Sequence, residues 1–353
     1  MKKLLLFALA IVLLLPAISA QGEQGKRYNM YGVMFYNLEN LFDTINQHGT
    51  YDLEFSPQGA RQWNTQKYNA KLHNMAYAIS QMKTDFTPMG PVVIGVSEIE
   101  NIEVLKDLVR QPEIKDWHLQ IVHHDSPGGR GIDVSVLYNP RYFKVLNVTN
   151  QRLHMEKYPD FVTRDQMCVT GMLAGEKVSV IVNHWPSRLG GEEQSSVFRE
   201  AAAALCRSTI DSLLNDDPDQ GIIFMGDLND DPMNKSLTQV LGSKHKLEDM
   251  KEPGDMYNPW WDKLSKGIGT LAYRGSWNLF DQILINKYFT EYSGSKDKPH
   301  LTFLRAEVLN RDFLRTKEGD RQGYPLRTYA SGVWLNGYSD HFPTEIFLVK
   351  EAQ

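Results

Sequence analysis

FMGDLNDDP, residues 224–232, sets Asp227 and Asn229 two positions apart directly behind a run of apolar residues. An acid and an amide at that spacing can point to one side of a strand end. Taken alone, the stretch reads first as a turn, since Gly, Asp and Asn are the usual turn formers. The pattern recurs, however. YGVMFYNLENLFD (31–43) ends in Asn37, Glu39 and Asn40, and PVVIGVSEIEN (91–101) ends in Glu98 and Glu100. KVSVIVNHWPSR (177–188) ends in Asn183, His184 and Arg188, and SWNLFDQILI (276–285) embeds Asp281 in an apolar run. YSDHFPTEIFLV (338–349) places Asp340 and His341 just before a closing strand. So many polar groups at the ends of buried strands are costly unless they converge on a common partner. Carboxylate and amide oxygens without cysteine suit Mg²⁺ or Mn²⁺, which keep positions open for water and phosphate oxygens. Histidines hydrogen-bonded to acids donate to a phosphate or move protons near neutral pH. Together these are the groups of metal-assisted phosphoester hydrolysis.

The elements that must position these residues alternate between strand and helix, the pattern of an α/β domain. NTQKYNAKLHNMAYAISQM carries Tyr68, Leu72, Met75 and Ile79 at helical spacing behind Asn64, which is expected to cap the helix. SSVFREAAAALCRSTIDSLL is a second helix, with Ser195 or Ser196 expected as its cap. No linker, repeat or low-complexity run divides the 353 residues, so a single large domain is expected.

The N-terminus stands apart. Lys2 and Lys3 precede LLLFALAIVLLLP and then AISA, which is the layout of a secretory signal peptide over residues 1–20 with cleavage after Ala20. Export to the periplasm or the medium is expected, without stable membrane insertion. Cys168 and Cys206 are the two cysteines; their spacing matches neither a zinc site nor a disulfide framework, and pairing between them stays open. A net charge of −5 argues against a general nucleic-acid coat protein but not against an enzyme with a locally basic cleft.

In chain order, Asn37, Glu98 in SEIEN, His184 in NHWPSR, Asp227 and Asn229 in GDLND, Asp281 in FDQILI and the SDH at 339–341 resemble the endonuclease/exonuclease/phosphatase superfamily, which includes deoxyribonuclease I and exonuclease III. The resemblance covers one catalytic domain over residues 28–350. It implies a four-layer α/β/β/α sandwich of two mixed β-sheets flanked by helices, with metal and substrate at one rim. It also implies roles: Glu98 as principal metal ligand, Asn37 beside it, and Asp340 as a further metal or phosphate contact. Asp227 would align or deprotonate the attacking water and Asn229 would hold it. His341, oriented by Asp281, would hydrogen-bond the scissile phosphate, and His184 would stabilise its opposite side or assist the leaving group. Arg164 in VTRDQMC stands where the family often has a phosphate-contacting arginine, and Arg130 in GGRGIDVSVLYNP opens a strand. A guanidinium suits phosphate, with a surface ion pair as the alternative for each.

The superfamily cleaves many phosphoesters with one core, so the loops must set the substrate. GDMYNPWWDKLSKGIGTLAYRG (254–275) interleaves Trp260, Trp261 and Tyr273 with lysines and Arg274, which suits base stacking and phosphate tracking, with a lipid interface or packing under the loop as the alternatives for the Trp pair. The expected function is that of an exported, monomeric, Mg²⁺- or Mn²⁺-dependent phosphodiesterase acting on nucleic acid, a nuclease, with Trp260 and Trp261 in the substrate site. A phosphatase or phospholipid phosphodiesterase is the alternative among enzymes, and a non-catalytic binding protein the alternative outside them.

Overall fold

The computed structural model describes residues 27–45, 52–290 and 299–352; the expected signal peptide at 1–20 lies outside them. One sheet has six strands in the order β14 (Thr302–Val308), β17 (Thr344–Glu351), β1 (Tyr28–Leu41), β2 (Val93–Ile99), β4 (Asp133–Tyr138) and β3 (Gln120–His123). The other has seven: β5 (Phe143–Gln151), β6 (Gln166–Leu173), β7 (Glu176–His184), β8 (Gly221–Asp227), β13 (Asp281–Asn286), β10 (Met256–Tyr257) and β9 (Ser243–Lys244). Each sheet is mixed. A parallel pair, β1 with β2 and β7 with β8, lies within otherwise largely antiparallel neighbours. The chain between β1 and β2 carries α1 (Thr65–Ser80), and that between β7 and β8 carries α3 (Glu192–Asp216); α2 (Ile102–Val109) and the short α4 (Trp261–Ser265) complete the α-helices. Two small hairpins project from this frame, β11 (Leu271–Tyr273) with β12 (Ser276–Asn278), and β15 (Tyr329–Ala330) with β16 (Val333–Trp334).

Side-chain alternation builds the four layers. Val33, Phe35, Val180, Val182, Ile223, Met225, Ile283 and Ile346 meet between the sheets. Their neighbours Met34, Tyr36, Ile94 and Val96 face α1 and α2, packing on Leu72, Met75, Ile79 and Leu105. Ile181, Ile222, Phe224 and Leu284 face α3, on Ala203, Cys206 and Ile210. Strands covered on both faces read as continuous apolar runs, which is why 222–225 carries no polar alternation. The α/β/β/α sandwich expected from the sequence is the fold of this chain. No helix among the described residues is long and apolar enough to cross a membrane.

α1 begins as expected, with the Asn64 side chain accepting from the Lys67 amide at 3.1 Å. α3 does not. It starts a turn earlier, at Glu192 behind Gly191, and the Ser195 and Ser196 hydroxyls donate back to the carbonyls of Gly191 and Glu193 inside the first turn. Glu192 and Glu193 suit that end because their charges oppose the positive pole of the helix. Cys168 and Cys206 are both free thiols, buried on the α3 side of the second sheet.

Candidate active site

Period-two alternation carries straight from the core to the rim. Asn37 follows Val33 and Phe35, His184 follows Val180 and Val182, Asp227 follows Ile223 and Met225, and Asp281 precedes Ile283 and Ile285 on the same inter-sheet face. β1, β7 and β8 reach this rim at their carboxyl ends, and β13, antiparallel to β8, starts there, so the ladder pairs Asp227 with His184 on one side and Asp281 on the other. Gly226 permits the approach, because a Cβ there would stand 2.4 Å from the Asn183 carbonyl oxygen. The amide nitrogen of Asn37 donates to Asp227 Oδ2 at 3.0 Å across the two sheets.

Glu98 breaks this parity. It follows Ile94 and Val96, which face the helices, yet its carboxylate lies at the rim. The register shifts between Ser97 and Ile99, and Glu98 has φ of 60°. A matching irregularity lies in β1, where Glu39 and Asn40 have φ of 46° and 50°. The two bulges are joined: the Asn40 amide donates to Glu98 Oε2 at 3.0 Å, and Arg130 bridges Glu98 Oε1 at 3.2 Å and Asn40 Oδ1 at 2.9 Å. Bulges re-aim side chains, and left-handed non-glycine residues concentrate where the surrounding structure holds them for function.

The two histidines are shifted in opposite directions. His341 Nδ1 lies 2.7 Å from Asp281 Oδ2, and its Nε2 lies 3.7 Å from Asp227 Oδ2 and 3.9 Å from Asp340 Oδ1. Burial alone would lower its pKa, but the charges of Asp281 and Asp227 and the bond to Asp281 hold it well above the ordinary value, which favours the imidazolium. His184 Nε2 sits 3.6 Å from Asp227 Oδ2 and 3.9 Å from Glu98 Oε1. Burial, followed by the charges of Arg164 and Arg130, pushes its pKa well below the ordinary value, leaving a neutral ring. Asp227 between them is raised to about 6, chiefly by burial, against the opposing charge of His341. Asn229, with φ of 50°, donates its backbone amide to Asp227 Oδ1 at 3.0 Å and its side-chain amide to the Trp185 carbonyl at 2.9 Å, which ties it to the ends of β7 and β8.

Arg164 donates to the carbonyls of His184 at 3.2 Å and Trp185 at 2.8 Å, buttressing the end of β7 from within the cluster; Arg130 ties down Glu98. Neither is the isolated surface pair of the alternative reading. Asp340 is engaged by Arg327, and a network behind it went unread in the sequence. The buried Lys71 ammonium donates to Thr328 Oγ1 at 2.7 Å and to the Tyr338 carbonyl, and lies 3.9 Å from Glu39 Oε2, which itself accepts from the Thr328 amide at 2.7 Å. Lys71 interrupts the apolar stripe of Tyr68, Leu72 and Met75, a signal that was legible; Arg327 lies in an irregular segment and offered none. Arg188, at the end of the same run as His184, donates to the Asn229 carbonyl at 2.8 Å and reaches Asp230 and Asp231, bracing the loop behind Asp227.

Trp260 does not belong to this site. It is fully buried between the sheets, with its indole N–H on the Ile283 carbonyl at 2.9 Å, and a ring closed in on every side has no face for a base. Trp261 stays half-buried, stacked on His245 with ring centroids 4.9 Å apart. The part of this loop that reaches the rim is the β11–β12 hairpin with Tyr273 and Arg274.

The donors at the rim suit a hard divalent cation. Glu98, Asp227 and Asp281 offer carboxylate oxygens and Asn37 an amide oxygen, and the thiols sit elsewhere. Asn37 Oδ1 already accepts from the Glu39 amide at 2.9 Å, and a carbonyl oxygen has a second lone pair to give.

A two-sheet sandwich with acids, amides and a His–Asp pair gathered at one rim defines a phosphoesterase fold and site. The model of the endonuclease/exonuclease/phosphatase family matches residues 32–350, and the chain belongs to that family, whose members are phosphoester hydrolases that use divalent metal ions. Similar solved structures include a humanized D. rerio TDP2 (TM-score 0.54, 12% identity, covering 91% of this chain and 99% of that one). An endonuclease/exonuclease/phosphatase family protein from Bacteroides thetaiotaomicron aligns with TM-score 0.53 and 15% identity over 93% of this chain and 100% of its own. A mannosyl-6-phosphatase from the same organism gives 0.52 and 16% over 90% and 99%. At these identities the likeness is one of fold. No curated protein sequence matches the chain.

Proposed function

We propose that this protein hydrolyses phosphodiesters in nucleic acid strands by in-line attack of water, with Mg²⁺ or Mn²⁺ as cofactor. The observation that carries the reading is the Asp227 carboxylate held between a charged and a neutral histidine, His341 at 3.7 Å and His184 at 3.6 Å. Asp227, with a pKa raised to about 6, takes a proton from water near neutral pH. Asn229 holds that water through its side-chain oxygen. His341, fixed by Asp281, donates from Nε2 to a phosphate oxygen, and the neutral His184 flanks the other side. Glu98 and Asn37, with Asp340 at the edge, would hold the cation, which when bound supplies charge neutralisation at the phosphate. Arg164 and Arg130 add positive charge around the acids.

A phosphomonoesterase is the second reading. It is favoured by the burial of Trp260, which removes half of the expected stacking platform. A D. rerio TDP2 complexed with a single-strand DNA product (TM-score 0.52, 13% identity, covering 90% of this chain and 98% of that one) and the mannosyl-6-phosphatase support one reading each. Residues 1–20 support export, and we place the mature chain in the periplasm or the medium as a monomer. The deciding experiment presents the purified chain with plasmid, single-stranded DNA, RNA, sugar monophosphates and sphingomyelin, with and without Mg²⁺. Chain cleavage supports the nuclease; hydrolysis confined to monoesters or to lipid replaces it.

A further inference from the structure

Beside Asp340 lies a cleft of about 410 Å³ that the hydrolytic chemistry does not use. One wall is the β11–β12 hairpin with Tyr273 and Arg274, and the other is the segment carrying Arg321, Tyr324 and Arg327. Arg327 is committed to Asp340 and lies 3.7 Å from Glu39. Arg274 and Arg321 are different: both are exposed, and neither has a carboxylate partner among the described residues. The Arg274 guanidinium lies over the Tyr273 ring, 5.2 Å from its centroid.

The walls are held in place. The Phe342 amide donates to the Thr270 carbonyl at 2.8 Å, and Thr270 Oγ1 accepts from the Asp281 amide at 3.3 Å, so the root of the hairpin is fixed to Asp281 and to the residue that follows His341. Trp277 in β12 stacks on Phe342 and meets Tyr324 edge-on, at centroid distances of 5.9 and 5.6 Å, which locks the hairpin against the opposite wall. Arg274 stands in a strained place. It and Gly275 form the two-residue turn between β11 and β12 with φ of 48° and 85°, a turn whose first position favours Asn or Gly. A long cationic side chain set there at a steric cost, lining a cleft beside Asp340, is placed to meet an anion.

We propose that this cleft is a subsite for a second phosphate of the substrate, bound by Arg274 and Arg321 while the ester being hydrolysed lies against His341. The subsite rests on the phosphoesterase reading above. Guanidinium forks bind phosphate through paired charge-assisted hydrogen bonds. Asp320 also lines the cleft, and its charge works against the anion, which caps the affinity and sets a control.

The test compares two pairs of substrates in Mg²⁺: a p-nitrophenyl nucleoside phosphodiester with and without a second phosphate on the same ribose, and glucose bisphosphate with glucose monophosphate. The second phosphate is expected to lower KM by roughly 10- to 100-fold in at least one pair, the worth of one or two hydrogen bonds to a charged group. Preference in the nucleotide pair assigns the subsite to the neighbouring phosphate of a strand, and preference in the sugar pair to a small bisphosphate. Arg274→Ala and Arg321→Ala should each erase most of that advantage while leaving kcat and the singly phosphorylated substrate unchanged, and Asp320→Asn should enlarge it. Calorimetric titration of the Mg²⁺-loaded Asp227→Asn chain with the bisphosphate and the monophosphate reads binding apart from turnover. If no ester is hydrolysed but the bisphosphate binds more tightly in an Arg274-dependent way, the hydrolytic reading falls and the subsite stands. Equal KM and equal binding with and without the second phosphate would overturn the subsite.

Discussion

Asp281 Oδ2 lies 2.7 Å from His341 Nδ1, across 60 residues of sequence, with the Asp281 side chain fully buried. A buried carboxylate is tolerated when an opposite charge meets it, and the meeting fixes the imidazole ring with Nε2 turned to Asp227. Asp281→Asn and His341→Ala are each expected to lower the rate by roughly 10²- to 10⁴-fold. Their effects should not add, because without the ring the carboxylate has nothing to orient. A double-mutant cycle on kcat decides; multiplying losses at unchanged fold would mean that the two act separately. NMR titration gives an independent check, since Asp281→Asn should return His341 toward the ordinary histidine pKa of about 6.5.

Glu98 and Asp227 should separate cation binding from rate. Glu98→Gln removes a charge from the position aimed by the bulge and is expected to weaken Mg²⁺ binding by at least about tenfold. Asp227→Asn should retain most of the binding and lose turnover. Calorimetric Mg²⁺ titrations of both variants beside kcat measure this, and equal loss of binding in the two would contradict the assignment. Chelator should abolish hydrolysis by the native chain.

Trp260 and Trp261 should part ways. Trp260→Ala leaves a cavity between the sheets and a carbonyl without its donor, and is expected to cost about 3–5 kcal/mol of stability. Trp261→Ala, at the half-buried surface, should stay within about 1 kcal/mol. Denaturant unfolding measures both; near-equal costs would mean that the burial of Trp260 has been misread.

Glu345 carries a pH dependence remote from the rim. It is buried in β17 directly opposite Glu307, and one of its oxygens has no hydrogen-bond partner. Burial first, and then the charge of Glu307, hold its pKa well above the ordinary value. The folded state therefore binds the proton more tightly than the unfolded chain. Its contribution to stability is fully present below the unfolded value of about 4.3 and is lost as pH rises through the folded pKa. Glu345→Gln should raise the melting temperature at alkaline pH by a few degrees, with the gain shrinking toward acid. A gain that did not change with pH would exclude the titration of this carboxyl as its source.

What could be read from the sequence was whatever repeats every second residue. Asn37, His184, Asp227 and Asp281 sit at the tips of apolar runs in step with the residues that face the other sheet, so strand periodicity alone sends them to one face, and the order of the motifs sends them to one family. Glu98 was found by its motif but for a reason the sequence does not contain. By periodicity it belongs to the helix-facing side of β2, and only the paired bulges at Glu39–Asn40 and Glu98 turn it inward, a backbone choice stabilised by Arg130 from the turn before β4. The fate of Trp260, the Lys71 contacts behind Asp340, and the placing of Arg274 and Arg321 along one cleft were likewise decided by tertiary structure. Each depends on which distant segment arrives beside it. A local pattern specifies the face of a strand or helix, whereas the neighbour across that face is set by strand order and loop path, which are properties of the whole chain.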